Sequence, residues 1–128
     1  MVQRLSAHGA IVTQAGSPLF ARQAFWSVAG TVSATPNPLS PGEGLNVTPY
    51  HAYVPSFGDW GFVLAGLHPP PASPSALPDG LRFYAHETWP ALRTFPRDMS
   101  RVEAEVNSVL THALVGYYED GWAEWFGR

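Results

Sequence analysis

Two apolar segments separated by a short turn limit how the middle of this chain can fold. The first runs from Asn46 to Val54 (NVTPYHAYV) and the second from Trp60 to Leu67 (WGFVLAGL), with Pro55-Ser-Phe-Gly-Asp59 between them. Their β-branched and aromatic residues are typical of strands. A parallel pair of strands needs a crossover of about a dozen residues or more, whereas an antiparallel pair needs only a turn. The sequence therefore predicts an antiparallel hairpin.

A further strand and a helix are predicted ahead of the hairpin. The apolar run from Gly9 to Ala15 is polar only near its end, which favours a strand buried on both faces of an α/β sheet. Ser17 and Pro18 are residue types that start helices, and apolar residues then recur on one face as far as Val32. The proline-rich stretch 33–44 is expected to be an exposed loop. This order of elements predicts the α/β class.

The last part of the chain is predicted to be helical. Residues 68–78 include five prolines and are expected to form a stiff connector. A short helix is expected over 87–93, and a longer one over 100–117, where Ser100 and Glu103 have the spacing of a capping box. The predicted units are 1–67 as part of an α/β sheet, 68–78 as a connector and 79–128 as a helical extension.

The charge balance and the missing residue types exclude several kinds of chemistry. Ten acidic residues against seven basic ones give a formal charge of -3, and the arginines are not clustered, which argues against a nucleic-acid partner. The chain has no Cys and no Lys, so thiol, disulfide and lysine chemistry are excluded. No apolar run approaches the roughly 18 residues of a spanning helix. We therefore expect a cytoplasmic protein without a membrane segment in this chain.

Motif spacing indicates neither a metal site nor a serine nucleophile. The five histidines, at positions 8, 51, 68, 86 and 112, do not have the spacing of metal ligands. Ser56 lacks the first glycine of a G-x-S-x-G elbow, so the sequence around it favours a turn serine. We expect no metal site and no catalytic residue within this chain.

Two features are candidates for a function. Gln14 is a polar residue at the carboxyl end of an apolar strand, the edge at which open α/β sheets bind ligands. The second feature is the hairpin turn, whose aromatic residues a solvent-exposed turn would not need. For both features a functional role and a packing role stay open at this point.

Several short motifs occur in an order that points to a family. They are Val12-Thr-Gln-Ala-Gly-Ser-Pro18, Phe25-Trp26, Tyr53-Val-Pro-Ser-Phe-Gly-Asp-Trp-Gly-Phe-Val-Leu-Ala65, Phe95-Pro-Arg-Asp-Met99, Val106-Asn107 and Tyr117-Tyr-Glu119. Together they resemble the spermidine synthases, and more narrowly the bacterial, membrane-associated type of these polyamine aminopropyltransferases. The resemblance covers nearly the whole chain and is to the C-terminal part of the family. The stretch 33–44 is longer than the usual connection of the family.

The resemblance implies a fold. The family has a methyltransferase-like, Rossmann-type sheet that ends in an antiparallel hairpin, and this chain would supply its C-terminal part, followed by helices. The implied strand order is 9–15, then 60–67, then 46–54, with the middle strand antiparallel to both neighbours. Residues 1–128 contain neither the Gly-rich turn that binds decarboxylated S-adenosylmethionine nor the acidic D-x-x-D-P motif of the family.

The resemblance also implies a reaction and candidate substrate-binding residues. The family transfers an aminopropyl group to a putrescine-like amine from decarboxylated S-adenosylmethionine, which is a cosubstrate and not a covalently bound cofactor. Gln14 matches the glutamine beside the amine-binding cavity of the family. Tyr53, Ser56 and Asp59 are the other candidates, and all four are expected at one end of the sheet. Many members have tyrosine directly before Pro-Ser, where this chain has Val54.

Two hypotheses follow for the chain as a whole. The first is a C-terminal fragment or split half of an aminopropyltransferase, inactive alone and dependent on a partner chain with the N-terminal half or on homo-oligomerisation. Any membrane association would then come from an N-terminal part outside these residues. The alternative is a non-catalytic interaction module derived from the same fold.

Overall fold

The computed structural model describes residues 2–72 and 74–127 and shows a mixed α/β arrangement. In chain order its elements are a 3-10 turn at Val2–Arg4, β1 (Ala10–Gly16), α1 (Arg22–Ser33), β2 (Asn46–Val54), β3 (Gly58–Gly66), α2 (Thr88–Leu92) and α3 (Ala113–Phe126). The three strands form one antiparallel sheet, and α1 packs on one of its faces. At this level the α/β class is confirmed.

The central strand of the sheet is β3. The order is β1-β3-β2, with β3 antiparallel to both neighbours, so the predicted strand order and directions are confirmed. Gly58 pairs with Val54 and has a φ of 77°, a left-handed conformation that glycine adopts at little cost. As a result β3 begins two residues earlier than predicted, and the turn is shortened to residues 55–57.

The helix α1 begins at Arg22 rather than at Pro18 because Ser17 caps a separate turn. The Ser17 hydroxyl accepts hydrogen bonds from the backbone N–H groups of Leu19 and Phe20, both at 3.3 Å. The predicted capping residue therefore does cap the backbone, but it stabilises the turn that leads into the helix.

The hydrophobic core lies between α1 and the sheet. One cluster consists of Ala15, Phe25, Ala29 and Val63, and a second consists of Leu45, Ala65 and Leu67. Gly61 lies directly against Phe25, so a Cβ at this position would overlap the aromatic ring and lie 2.7 Å from the carbonyl oxygen of Gly16. Only glycine leaves room for the helix here.

The strand β1 is less buried than predicted. Ala15 and Gly16 are buried, but Val12 is 55% exposed, and Thr13 and Gln14 are exposed as well. Within the described residues β1 pairs with β3 alone, and Val12 lies on the face of the sheet opposite α1. The prediction of a strand buried on both faces is therefore wrong for this segment.

The stretch predicted as an exposed loop, 33–44, is anchored to the end of β3. Pro36 and Gly44 form an isolated bridge, and Asn37 is buried. The side-chain amide of Asn37 donates a hydrogen bond to the carbonyl oxygen of Leu67 at 2.9 Å. The residues between Asn37 and Gly44 remain mostly exposed, so the prediction holds only for the tip of the loop.

The helix predicted over 100–117 is wrong. Residues 101–108 form neither helix nor strand, and the helix α3 starts only at Ala113. Ser100 cannot cap a helix, because its hydroxyl donates to the carbonyl oxygen of Arg97 at 2.9 Å and accepts from the Arg22 guanidinium at 2.7 Å. The capping box suggested by Ser100 and Glu103 is therefore not formed.

Side chains of α1 hold the non-helical segment in place. The Ser27 hydroxyl donates to the carbonyl oxygen of Glu105 at 2.6 Å, and the Thr31 hydroxyl accepts from the backbone N–H of Asn107 at 2.8 Å. These bonds use main-chain groups that a helix would need for its own ladder. The chain therefore turns into α3 later, and α3 packs against α1.

The connector and the short helix agree with their predicted secondary structure. Residues 68–72 and 74–78 form neither helix nor strand, and α2 lies within the predicted 87–93. The division into units 1–67, 68–78 and 79–128 stays a prediction. Among the described residues no helix combines the length and the apolar character needed to cross a membrane.

We predict that Gly16→Ala lowers the free energy of unfolding by about 2–4 kcal/mol. Gly16 has a φ of +75°, and a Cβ there would lie 2.7 Å from the Tyr118 hydroxyl, so the variant suffers both backbone strain and overlap. Gly58→Ala is the matched control, because Gly58 has a φ of +77° but open space around its Cβ. Urea unfolding should show the larger loss for Gly16→Ala, and equal losses would contradict the contact with Tyr118.

Candidate functional site

The four predicted site residues lie at one end of the sheet. Because β1 and β3 are antiparallel, β1 ends where β3 begins, next to the hairpin turn. Gln14 pairs with Phe62, Tyr53 pairs with Asp59, and Ser56 lies in the turn. The predicted shared location of these residues is confirmed.

The same residues lie on two different faces of the sheet. Side chains alternate between faces along a strand, and Asp59 and Phe62 are three positions apart in β3. Asp59 and Tyr53 therefore lie on the face that α1 covers, whereas Gln14 lies on the opposite face with Phe62. The residues do not form one cavity within this segment, and their substrate-binding roles stay predictions.

Asp59 binds His51, a residue that the motifs did not single out. Nδ1 of His51 lies 2.7 Å from Oδ1 of Asp59, and Nε2 lies 2.8 Å from the carbonyl oxygen of Thr94. Through both of its nitrogens the His51 ring therefore bridges the hairpin and the segment around Thr94.

Aromatic rings fix the His51 side chain from the side of α1. The His51 ring centre lies 4.8 Å from that of Phe95, which in turn lies 5.1 Å from Trp26 and 5.5 Å from Phe25. The Trp26 indole N–H also donates to the carbonyl oxygen of Met99 at 3.0 Å. The motif from Phe95 to Met99 thus joins the helix to the hairpin.

The register of the hairpin creates the pair of His51 and Asp59. Because Tyr53 pairs with Asp59, His51 lies diagonally across from Asp59 on the same face. The predicted five-residue turn places Asp59 in a loop, and the motifs therefore do not predict its pairing with His51. A three-residue turn, combined with alternation along the strands, was the signal that would have revealed it.

On the opposite face, Tyr50 connects the sheet to α2. Its ring stacks on Phe62 at 5.3 Å between centres and meets Trp89 edge-on at 5.4 Å. Burial of the Tyr50 hydroxyl raises the pKa of the phenol above its ordinary value of 10.0.

The chemistry available at this end of the sheet is hydrogen bonding. Gln14 offers an amide, Ser56 a hydroxyl and Tyr53 an exposed phenol, which suit the binding of an amine or ammonium group. The imidazole of His51 is held on both nitrogens, so in this arrangement neither nitrogen is free to contact a ligand. Across residues 2–72 and 74–127, no three His, Asp or Glu side chains converge as metal ligands would.

Comparisons with known proteins show which enzymes this chain is similar to. The chain is 38% identical over 120 residues to the polyamine aminopropyltransferase of Leptospira interrogans and 36% identical over 121 residues to that of Mycobacterium tuberculosis. It is 33% identical over 122 residues to that of Oceanobacillus iheyensis. These matches cover 92–94% of this chain and 21–22% of each relative. The chain is homologous to a segment of the polyamine aminopropyltransferases. No family model and no solved structure matches it.

The aminopropyltransferase relatives confirm the resemblance carried by the motifs. The chain spans about a fifth of the length of these enzymes, which agrees with the prediction that it corresponds to their C-terminal part. In the structure of this chain, Pro55-Ser-Phe57 is the hairpin turn and Gln14 lies near the end of β1 beside it.

We predict that His51 and Asp59 stabilise the fold jointly, with a coupling of about 1 kcal/mol. Unfolding free energies of His51→Ala, Asp59→Asn and the double variant should show that the two losses are not additive. The control cycle combines His51→Ala with Asp79→Asn, an exposed carboxylate outside the hairpin, and should give additive losses. Additivity in the first cycle would show that the contact between His51 and Asp59 contributes nothing to stability.

We also predict that alkaline solution destabilises the chain through Tyr50. Because the pKa of Tyr50 is raised in the folded state, the unfolded chain loses the phenol proton first as the pH rises above 10.0. The stabilisation is therefore complete below that pH and is lost above it. Urea midpoints should fall less steeply with pH in Tyr50→Phe than in the parent chain. Tyr53→Phe, which removes a hydroxyl from a side chain that is 68% exposed, is the control. Identical slopes for the parent chain and Tyr50→Phe would contradict the prediction.

Proposed function

We propose that the chain is the C-terminal part of a polyamine aminopropyltransferase and provides one wall of its amine-binding site. The observation that supports this proposal is a sequence match. Nearly the whole chain aligns with about 22% of the length of each of two enzymes with that name. The alternative, a stand-alone interaction module, is not favoured, because the chain retains the family motifs in order from Gln14 to Tyr117-Tyr-Glu119.

The three strands are proposed to be the end of a larger, methyltransferase-like sheet. The apolar composition of β1 is that of a strand covered on both faces, yet Val12 is 55% exposed in this segment. The outer edge of β1 also carries main-chain groups without a strand partner among the described residues. Further strands and helices of the enzyme would pair with this edge and cover Val12.

In the proposed reaction, a neutral amine nitrogen of a putrescine-like diamine attacks the aminopropyl carbon of decarboxylated S-adenosylmethionine. A new C–N bond forms while the C–S bond breaks, and its electron pair leaves with the sulfur of methylthioadenosine. The amine proton goes to a base that lies outside this chain. The contribution of these residues is to orient the amine, with Gln14 as the main candidate and Tyr53 and Ser56 beside it.

The remainder of the enzyme is proposed to bind the cosubstrate and supply the acidic groups. No Gly-rich turn or D-x-x-D-P motif occurs in residues 1–128, and Asp59 already binds His51. Whether the remainder lies in the same polypeptide or in a partner, it is the part that would contact the exposed face of β1.

We predict that the chain alone forms no methylthioadenosine from decarboxylated S-adenosylmethionine and putrescine. A chimera in which these residues replace the matching segment of the Leptospira interrogans relative should form it. Val12→Asp in the chimera should lower turnover at least about tenfold, because a carboxylate would be buried between the two parts. Val109→Asp, at a position that is 86% exposed, is the matched control and should leave turnover unchanged. Turnover by the isolated chain, or a folded chimera without turnover, would overturn the proposal.

A further inference from the structure

Two histidines face each other at the end of the sheet remote from the hairpin turn. The ladder between β1 and β3 begins with the pair Ala10 and Gly66, and His8 and His68 each lie two residues beyond it. Their rings are 5.9 Å apart between centres and inclined by 32°. The antiparallel register therefore brings together two imidazoles that are far apart in the sequence.

Both imidazoles are available to a ligand. His8 and His68 are exposed, and neither ring forms a hydrogen bond or an ion pair with another described residue. His51 differs in this respect, since both of its nitrogens are bound. A neutral imidazole with a free nitrogen is the commonest protein ligand of divalent transition metals.

The separation of the rings suits a shared metal ion. Two imidazoles that bind one ion at about 2.0–2.1 Å have ring centres roughly 4.5–6.4 Å apart, for angles at the metal from about 90° to 180°. The observed 5.9 Å lies within this range. Both side chains are exposed, so they are free to rotate and aim one nitrogen of each ring at the same point.

A cavity of about 320 Å³ lies beside the pair and leaves room for further ligands. His8 and His68 line it together with Asn46, the backbone of Gly9 and Gly66, and the prolines that follow His68. Water molecules in this space would complete the coordination of an ion held by two protein ligands. The borderline ions Zn²⁺ and Cu²⁺ favour imidazole, whereas Mg²⁺ prefers oxygen ligands.

We propose that His8 and His68 form a two-histidine binding site for a divalent transition metal such as Zn²⁺. The site joins His8, two residues before β1, to His68, two residues after β3. Metal binding therefore holds the open end of the ladder closed and stabilises the folded chain. This proposal does not depend on the aminopropyltransferase assignment.

Calorimetric titration of the chain without a histidine tag tests the site. At about pH 7.5 the chain should bind one equivalent of Zn²⁺ with a Kd below about 1 mM and show no heat with Mg²⁺. His8→Gln and His68→Gln should each weaken binding at least tenfold and abolish the rise in the thermal midpoint caused by Zn²⁺. Both positions are exposed, so unchanged midpoints without metal will show that the variants fold.

His86→Gln is the matched control, since it removes another exposed imidazole outside the pair. It should bind Zn²⁺ as the parent chain does. Equal affinity in all four proteins, equal loss in all three variants, or a Kd above about 1 mM in the parent chain would overturn the proposal.

Discussion

The contact between Phe25 and Gly61 determines how the rest of this chain is arranged. The Phe25 ring is fully buried and occupies the space that a side chain at position 61 would fill. This brings α1 close to the central strand, where Ala15 and Val63 complete the cluster. With the helix fixed there, its hydroxyl groups at Ser27 and Thr31 bind the main chain of residues 105–107. A single helix-to-sheet contact thus sets both the core and the course of the C-terminal segment.

The parts of the fold that depend on short-range constraints could be predicted from the sequence. A short turn between two apolar runs leaves few alternatives to a hairpin. The order of the three strands in the sheet was implied by the resemblance to the spermidine synthases. The prediction of a helix over 100–117 is wrong because the spacing of apolar residues carries no information about tertiary hydrogen bonds. Val109 and Leu110, two apolar residues within that predicted helix, are 86% and 93% exposed. The hydroxyls of α1 compete for the same main-chain groups and prevent the helix there.

The positions of the candidate site residues could be predicted only where they follow from the ends of strands. Gln14 could be placed because it lies near the end of a strand, and the turn had to lie beside it once β3 was antiparallel to β1. The contacts of His51 with Asp59 and of His8 with His68 depend on register instead. In the hairpin the register follows from the turn length, which Gly58 shortens by two residues, and the pairing of β1 with β3 is a long-range contact that no turn determines. Spacing along the sequence therefore could not reveal either pair.

The one-sided exposure of β1 links its sequence to the proposed enzyme. Burying a valine side chain completely contributes about 1.5–3 kcal/mol, and Val12 is 55% exposed, so this segment leaves about half of that contribution unused. Ala15 and Gly16 of the same strand are buried, where α1 and Tyr118 cover them. The residues at the end of β1 are therefore buried, whereas the apolar Val12 in its middle is left exposed. A covering layer over Val12 and a strand along the free edge of β1 would satisfy both requirements at once, and the larger sheet that we propose for the whole enzyme would supply both.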